Sequence, residues 1–376
     1  MKLRKRFKLA VTFGAALVGM IASATFARDI TVAQVAAFSG AQAPSGTAIR
    51  AGIKLYFDEV NRAGGIGGDR IKLVTRDDAY KAEETVKIVK EMLERDAPVA
   101  FVGALGTANI EALIKDGALA RANVPLIGAV SGASSLVGAP SVFVTKASWR
   151  DEVRELFELV SKSGVKRAAI FYQDDSMGRD VLAGAESAAP NYGMNLVVKA
   201  TYERNTTNVD EAVTQIIRSD AQIVYLAAVT TAAIEFIKRY RAAGGLTPIY
   251  GLSIIDPGNV IKAVGVESAR GYAFGLHAPL SSAGKFAIVR EYQALRKASP
   301  NPELSERSVE GFIIAKTVVH ALRQSRQVNS GAVLNALVSM RGVDLGDYWI
   351  DFTRPGRTGS RFVEFAVVAG NGRIDH

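Results

Sequence analysis

Asp58-Glu59-Val60-Asn61-Arg62-Ala63-Gly64-Gly65-Ile66, followed after a turn by Arg70-Ile71-Lys72-Leu73-Val74-Thr75, reads as a helix end, a glycine closure and a strand. Glycine just past the last turn supplies the left-handed conformation that stops a helix, and a basic residue suits the carbonyl end. Backward from this stretch the helical period runs to Ala48, and before it lies the apolar run Ile30 to Ala37. Nearly the same words return at Arg241-Ala242-Ala243-Gly244-Gly245, again before a strand-like run. The chain is therefore read as two βα layers of related design. The glycines Gly64 to Gly68 are no phosphate loop, because such a loop follows a strand and opens a helix, and here the order is reversed.

Strand-like runs alternate with helical segments up to about residue 275, the pattern of parallel α/β sheets. The strand candidates are Ile30 to Ala37, Arg70 to Thr75, Val99 to Gly103, Pro125 to Gly128, Val142 to Thr145, Ala168 to Tyr172, Asn195 to Tyr202, Ile223 to Ala228, Pro248 to Leu252 and Gly271 to Gly275. Most are continuous apolar runs, as strands buried on both faces should be. Helices are expected at Ala48 to Ala63, Ala82 to Glu94, Ala108 to Arg121, Trp149 to Lys162, Val209 to Arg218 and Thr231 to Ala242. The last hundred residues differ: helices at Ala283 to Ser299, Glu306 to Gln324 and Ala332 to Met340 have no strand between them. Two strand-like runs, Tyr348 to Phe352 and Phe362 to Val368, close the chain. No Ser/Pro linker separates autonomous domains, so two lobes wound from one chain fit best.

The first residues bear on location. Lys2, Arg4, Lys5, Arg6 and Lys8 precede an uncharged apolar run from Leu9 to Ile21, and small residues follow at Ala22, Ser23, Ala24 and Ala27. This is the pattern of a secretory leader cleaved after Ala24 or Ala27, too short to span a bilayer. The formal charge of +9 contains these five cations, so about +4 belongs to the rest of the chain. No basic run with interleaved aromatics suggests nucleic acid. The absence of cysteine excludes disulfides, a thiolate metal site, a catalytic thiol and a lipid-modified N-terminal cysteine. A free, soluble, periplasmic protein is the expectation.

Catalytic constellations fail one by one. Gly128-Ala129-Val130-Ser131-Gly132 puts its serine one place late for a nucleophile elbow. Only His277, His320 and His376 could serve as an imidazole base, and none stands in a motif. Asp77-Asp78 and Asp174-Asp175 lack nearby histidine or a calcium-loop spacing. No enzyme, metal or cofactor is expected. What recurs is short polar residues and glycine beyond the carboxyl ends of strands, where open α/β sheets bind ligands. Ser39 with nearby Gln42, Gly106 with Thr107, and Ser131 with Gly132 form one such set. Tyr172 to Ser176, which includes Asp175, forms a second with Val229 and Ser253, and Trp149 stands where the chain first passes between lobes. Each hydroxyl could instead be a plain helix cap, and Trp149 a packing wedge.

Asp58 to Ile66, Asp77-Asp78-Ala79-Tyr80, Phe171-Tyr172-Gln173-Asp174-Asp175 and Gly359-Ser360-Arg361-Phe362 together resemble the periplasmic substrate-binding proteins of branched-chain amino acid ABC transporters, the leucine-binding family of type I periplasmic-binding fold. The resemblance runs over essentially the whole chain after the leader. It implies two Rossmann-like lobes joined by three crossing segments that close on a small ligand and present the closed form to an inner-membrane permease. The expected lobes are 28–146 with 278–349, and 147–277 with 350–376. Family pattern assigns ligand contacts to Leu105 to Ala108, Val130 to Gly132, Tyr172 to Met177, Val229 and Ser253. Leucine binders place tyrosines near Met177 and Val229, and near Ser253 a glutamate that neutralises the ligand ammonium. With no acid at 253, either Asp174, Asp175 or Asp256 takes that role or the ligand lacks an amino group. The expected function is thus binding of a small amino acid-like or carboxylated metabolite by a monomer that feeds an ABC importer. A soluble sensor for a membrane signalling receptor and an exported α/β hydrolase are the alternatives.

Overall fold

The opening stretch folds as a pinned helix end. The helix Ala43–Arg62 stops where Gly64 and Gly65 take φ of 100° and 74°, and the Gly65 amide donates to the Val60 carbonyl at 2.9 Å. Asn61 then fastens this end to the next strand: its Nδ2 donates to the Ile71 carbonyl and its Oδ1 accepts from the Ile71 amide, both at 2.8 Å. The computed structural model describes residues 27–355 and 358–376, so the expected leader, all but its last residue, lies outside the described residues. No described helix is long and apolar enough to cross a membrane.

Five parallel strands form the first sheet: β1 (Asp29–Ala36), β2 (Arg70–Asp77), β3 (Ala100–Val102), β4 (Leu126–Ile127) and β5 (Val142–Phe143), in the order β2-β1-β3-β4-β5. Along β1, Ile30 and Val32 enter one apolar cluster and Ala33 and Val35 another, the period-two alternation of a strand covered on both faces. The second sheet holds β6 (Arg167–Gln173), β7 (Asn195–Tyr202), β8 (Ile223–Ala227), β9 (Ile249–Gly251) and β10 (Ala273–Leu276). After β10 in sequence comes a short separate ribbon of β11 (Val343–Asp344) and β12 (Trp349–Ile350). Then β13 (Glu364–Val368) joins β10 antiparallel and β14 (Ile374–Asp375) joins β13, giving β14-β13-β10-β9-β8-β6-β7.

Three passages connect the lobes. After β5 the chain enters the helix Trp149–Lys162 and the second sheet; after β10 it returns to the helices Ala287–Ala298, Ser308–Gln324 and Ser330–Val338; after β12 it crosses to β13. Ser308–Gln324 packs along Ala43–Arg62, and a Cβ at Gly52 would lie 1.9 Å from the Ser308 carbonyl oxygen. The passages meet at the Tyr348 hydroxyl, 2.9 Å from the Thr145 carbonyl and 3.0 Å from that of His277.

Two expectations need correction. The single helix Ala108 to Arg121 is two, Thr107–Asp116 and Ala118–Ala122, because Gly117 takes the left-handed φ of 75° and closes the first. The run Tyr348 to Phe352 adds no strand to either large sheet; only Trp349–Ile350 pairs, in the separate ribbon.

Candidate functional site

The first wall of the interlobe cleft is built at the carboxyl ends of β3 and β4. Gly106, at φ 103°, turns the chain into the helix Thr107–Asp116, and a Cβ there would lie 2.5 Å from the Tyr80 ring. That helix N-terminus brings amides with no partner inside the helix. Thr107 Oγ1 stands 2.9 Å from Ser131 Oγ, both side chains buried, so the two loops are tied by one hydroxyl pair. Tyr80 reaches this wall from a strained turn in which Ala79 and Tyr80 have φ of 49° and 62°. The paired acids hold that turn: Asp77 accepts from the Ala79 and Phe38 amides, and Asp78 from the Tyr80 amide and the Thr85 hydroxyl.

The opposite wall comes from the passage helix and the second lobe. Ser148 caps Trp149–Lys162 by accepting from the Asp151 amide, and Gly132 lets Trp149 approach, since a Cβ there would lie 2.8 Å from the Trp149 backbone nitrogen. A cavity of about 10 Å³ remains between the lobes. Gln42, Tyr80, Leu105, Gly106, Thr107 and Val130 line it on one side, and Trp149, Met177 and Ile254 on the other. Two buried polar atoms at this cavity, Gln42 Oε1 and Trp149 Nε1, have no hydrogen-bond partner among the described residues. A far larger groove, about 560 Å³, opens on the outside near Val142, Leu334 and Phe352, so size alone does not locate the site.

The sequence-selected residues thus divide. Gln42, Gly106, Thr107 and Trp149 line the cavity, and Ser131 and Gly132 support them. Ser39 is exposed, and its side chain bonds to Asp77. Tyr172 is half-buried against the apolar cluster, while its strand neighbours Phe171 and Gln173 are fully buried. Asp175 caps the helix Ser176–Ala188 by accepting from the Met177 and Gly178 amides. Val229 donates its amide to the Tyr202 hydroxyl at 3.0 Å.

Ser253 has an acid partner that no strand-end reading located. Glu152, one turn after Trp149, accepts from the Ser253 amide at 2.8 Å and from its hydroxyl at 2.6 Å. Burial pushes the Glu152 carboxyl up to about 7, although the Ser253 bonds and the Lys146 and Arg307 charges pull the other way. Beside it lies a buried cluster. Glu310 is within 3.2 Å of Lys146, 3.0 Å of His277 and 2.7 Å of Arg307. Burial alone would raise Glu310, but Arg307, Lys146 and His277 outweigh it and hold the carboxyl well below its usual range. Burial lowers His277 to about 4 against the pull of Glu310. Arg307 also donates to the Ser253 carbonyl at 3.2 Å, so the cluster reaches from the helices on the first sheet to the second lobe.

Arg204, just beyond β7, was not marked by any motif. Its Nη2 donates to the Tyr80 carbonyl at 2.8 Å and Asn109 Oδ1 at 2.7 Å, its Nη1 pairs with Asp175, and its guanidinium stacks 3.6 Å from the Tyr80 ring centre. Further contacts span the cleft, among them Thr231 to the Ala41 carbonyl, Ser305 to Asp256 and Ser134 to Asp180. The arrangement can enclose a small molecule between two walls.

Two parallel-sheeted lobes, three passages and a polar cleft at the strand ends define a type I periplasmic-binding protein. The chain belongs to the periplasmic binding protein family, whose model matches residues 29–373. It is similar in structure to a substrate-binding periplasmic protein from Ralstonia solanacearum, with 39% identity, a TM-score of 0.89 and coverage of 92% of this chain and 99% of that one. Among curated relatives, Leu/Ile/Val-binding protein homolog 7 of Brucella suis biovar 1 (strain 1330) is 23% identical over 346 residues, 88% of this chain and 85% of the relative. An ABC transporter solute-binding protein from R. palustris in complex with benzoate shares the fold, with a TM-score of 0.80, 20% identity and coverage of 92% and 94%.

Proposed function

We propose that this chain is the periplasmic solute-binding component of an ABC importer, taking a small amino acid-like or carboxylated metabolite into the interlobe cleft. The observation that carries the reading is the buried Thr107 and Ser131 hydroxyl pair at a helix N-terminus, facing a cavity whose other wall belongs to the second lobe. Helix-start amides and hydroxyls are suited to a carboxylate or another hydrogen-bonding head group. A ligand touching both walls stabilises the closed form by its differential affinity, and the closed lobes are then what a permease engages.

A thermal-shift screen of amino acids, 2-oxo acids, aromatic acids and amides identifies the ligand class through the rise in Tm that binding to the folded state produces. The hit is then titrated calorimetrically into the wild type and the T107A/S131A double variant. Within the pair one hydroxyl donates to the other and one O–H stays free for the ligand, so its loss predicts a fall of about 10-fold or more. Equal affinity in the two proteins refutes the assignment, and loss of uptake of the hit on gene deletion tests the importer role.

A further inference from the structure

We infer that the cleft selects an apolar monocarboxylate with no ammonium group beside its acid, bound at the start of the helix Thr107–Asp116 under the Trp149 indole. The inference rests on the reading of the cleft as the ligand site. It follows from which buried polar atoms remain free to meet a ligand.

An α-ammonium brought into a closed cleft needs a carboxylate or several carbonyl acceptors, because an unpaired buried charge is costly. The acids nearest the two walls already have partners. Asp175 accepts from the Gln173 side chain, the Met177 and Gly178 amides, and Arg204. Asp78 accepts from Thr85, the Tyr80 amide and Asn109. Asp256 accepts from the Asn259 amide and the Ser305 hydroxyl. Glu152 lies beside Ser253, each of its oxygens accepts one bond from that residue, and it is packed against the second sheet, since a Cβ on Gly275 would lie 2.1 Å from it. None of these acids lines the cavity.

The donor side is different. Trp149 Nε1, an N–H that can only donate, is buried on the 2% exposed tryptophan that lines the cavity and has no partner among the described residues. With the opening amides of Thr107–Asp116 and the Thr107 and Ser131 hydroxyls, it supplies a set suited to two carboxylate oxygens. Among the described residues, Gln42 Oε1 is the unpartnered side-chain acceptor at the cavity, and a lone amide oxygen does not neutralise an ammonium. The rest of the lining, Leu105, Val130, Met177 and Ile254, is apolar and suits a hydrocarbon body.

The test uses matched pairs that differ only in the α-ammonium: 4-methylpentanoate against leucine, and 3-phenylpropanoate against phenylalanine. Each is titrated calorimetrically into the protein after unfolding and refolding to strip endogenous ligand. The expected result is that at least one acid binds and that its amino acid partner binds at least about 100-fold more weakly. The W149F variant, which keeps the aromatic body and removes the N–H, weakens the acid about 10-fold, while circular dichroism reports its fold. An amino acid that binds as well as or better than its acid, with that binding lost in T107A/S131A, overturns this inference and leaves the cleft reading standing. Acids that bind equally well to T107A/S131A and W149F overturn both. No response to either acid overturns the inference, and the wider ligand screen then decides the cleft reading separately.

Discussion

Glu152 and His277 lie in one buried neighbourhood and titrate in opposite senses, so changing Glu152→Gln should reveal a pH dependence that the wild type conceals. Burial raises the Glu152 carboxyl from 4.5 to about 7, so between those values the folded chain holds one proton more than the unfolded chain. Its contribution to stability therefore grows as pH falls through 7 and levels off below 4.5. Burial lowers His277 from 6.5 to about 4, so between those values the folded chain holds one proton fewer, and stability is lost as pH falls. From pH 6.5 to 4.5 the two proton differences cancel. Glutamine keeps the size and can still accept from the Ser253 amide, while its Nε2 donates to the Ser253 hydroxyl oxygen, and it cannot titrate. The difference in unfolding free energy between wild type and E152Q should then change by about 1.4 kcal/mol per pH unit across that window, roughly 3 kcal/mol between its ends. Urea unfolding at half-unit steps of pH, read by tryptophan fluorescence and circular dichroism, measures it. The wild-type curve minus that of E152Q should rise as pH falls, and that of H277Q should slope the other way. Parallel curves for wild type and both variants would refute the assignment of these protonation states.

Glu310→Gln leaves Lys146 and Arg307 buried without their carboxylate, and should cost about 3–5 kcal/mol in urea unfolding; a loss under about 1 kcal/mol would show that the cluster relaxes into water. Arg204→Gln removes the Asp175 ion pair and weakens the tie to Tyr80 and Asn109, while leaving each lobe's apolar core intact. It should shift the ligand-free protein toward an open form with a larger radius of gyration in small-angle scattering, and an unchanged scattering curve would count against Arg204 as a closure contact.

Much of the fold was legible because its signals are local. The glycine ending at Gly64-Gly65, the continuous apolar runs at Ala168 to Tyr172 and Ile223 to Ala228, and the amphipathic helix Trp149–Lys162 each read from a few neighbouring residues. The helix break at Gly117 was missed because an isolated glycine in a helical pattern is tolerated, and only the observed left-handed conformation decides the matter. Thr107 and Ser131 could be picked out because both follow strand ends, and the fold brings their hydroxyls within 2.9 Å. Tyr172 stands outside the cavity lining for a geometric reason: strand residues alternate in direction, and the fully buried Gln173 beside it is the one that bonds to Tyr202 and Asp175.

By itself the sequence determined the α/β class and the family resemblance, since periodicity, helix ends and short motifs are written in consecutive residues. Tertiary structure alone decided which charges answer one another. Glu152 and Ser253 are 101 positions apart in the chain, and Arg204 and Tyr80 124. Nothing local in Glu152, on an amphipathic helix between Asp151 and Val153, distinguishes it from a solvated surface acid. Packing of that helix against the second sheet removes its water and raises its carboxyl, while the neighbouring indole N–H of Trp149 has no hydrogen-bond partner among the described residues.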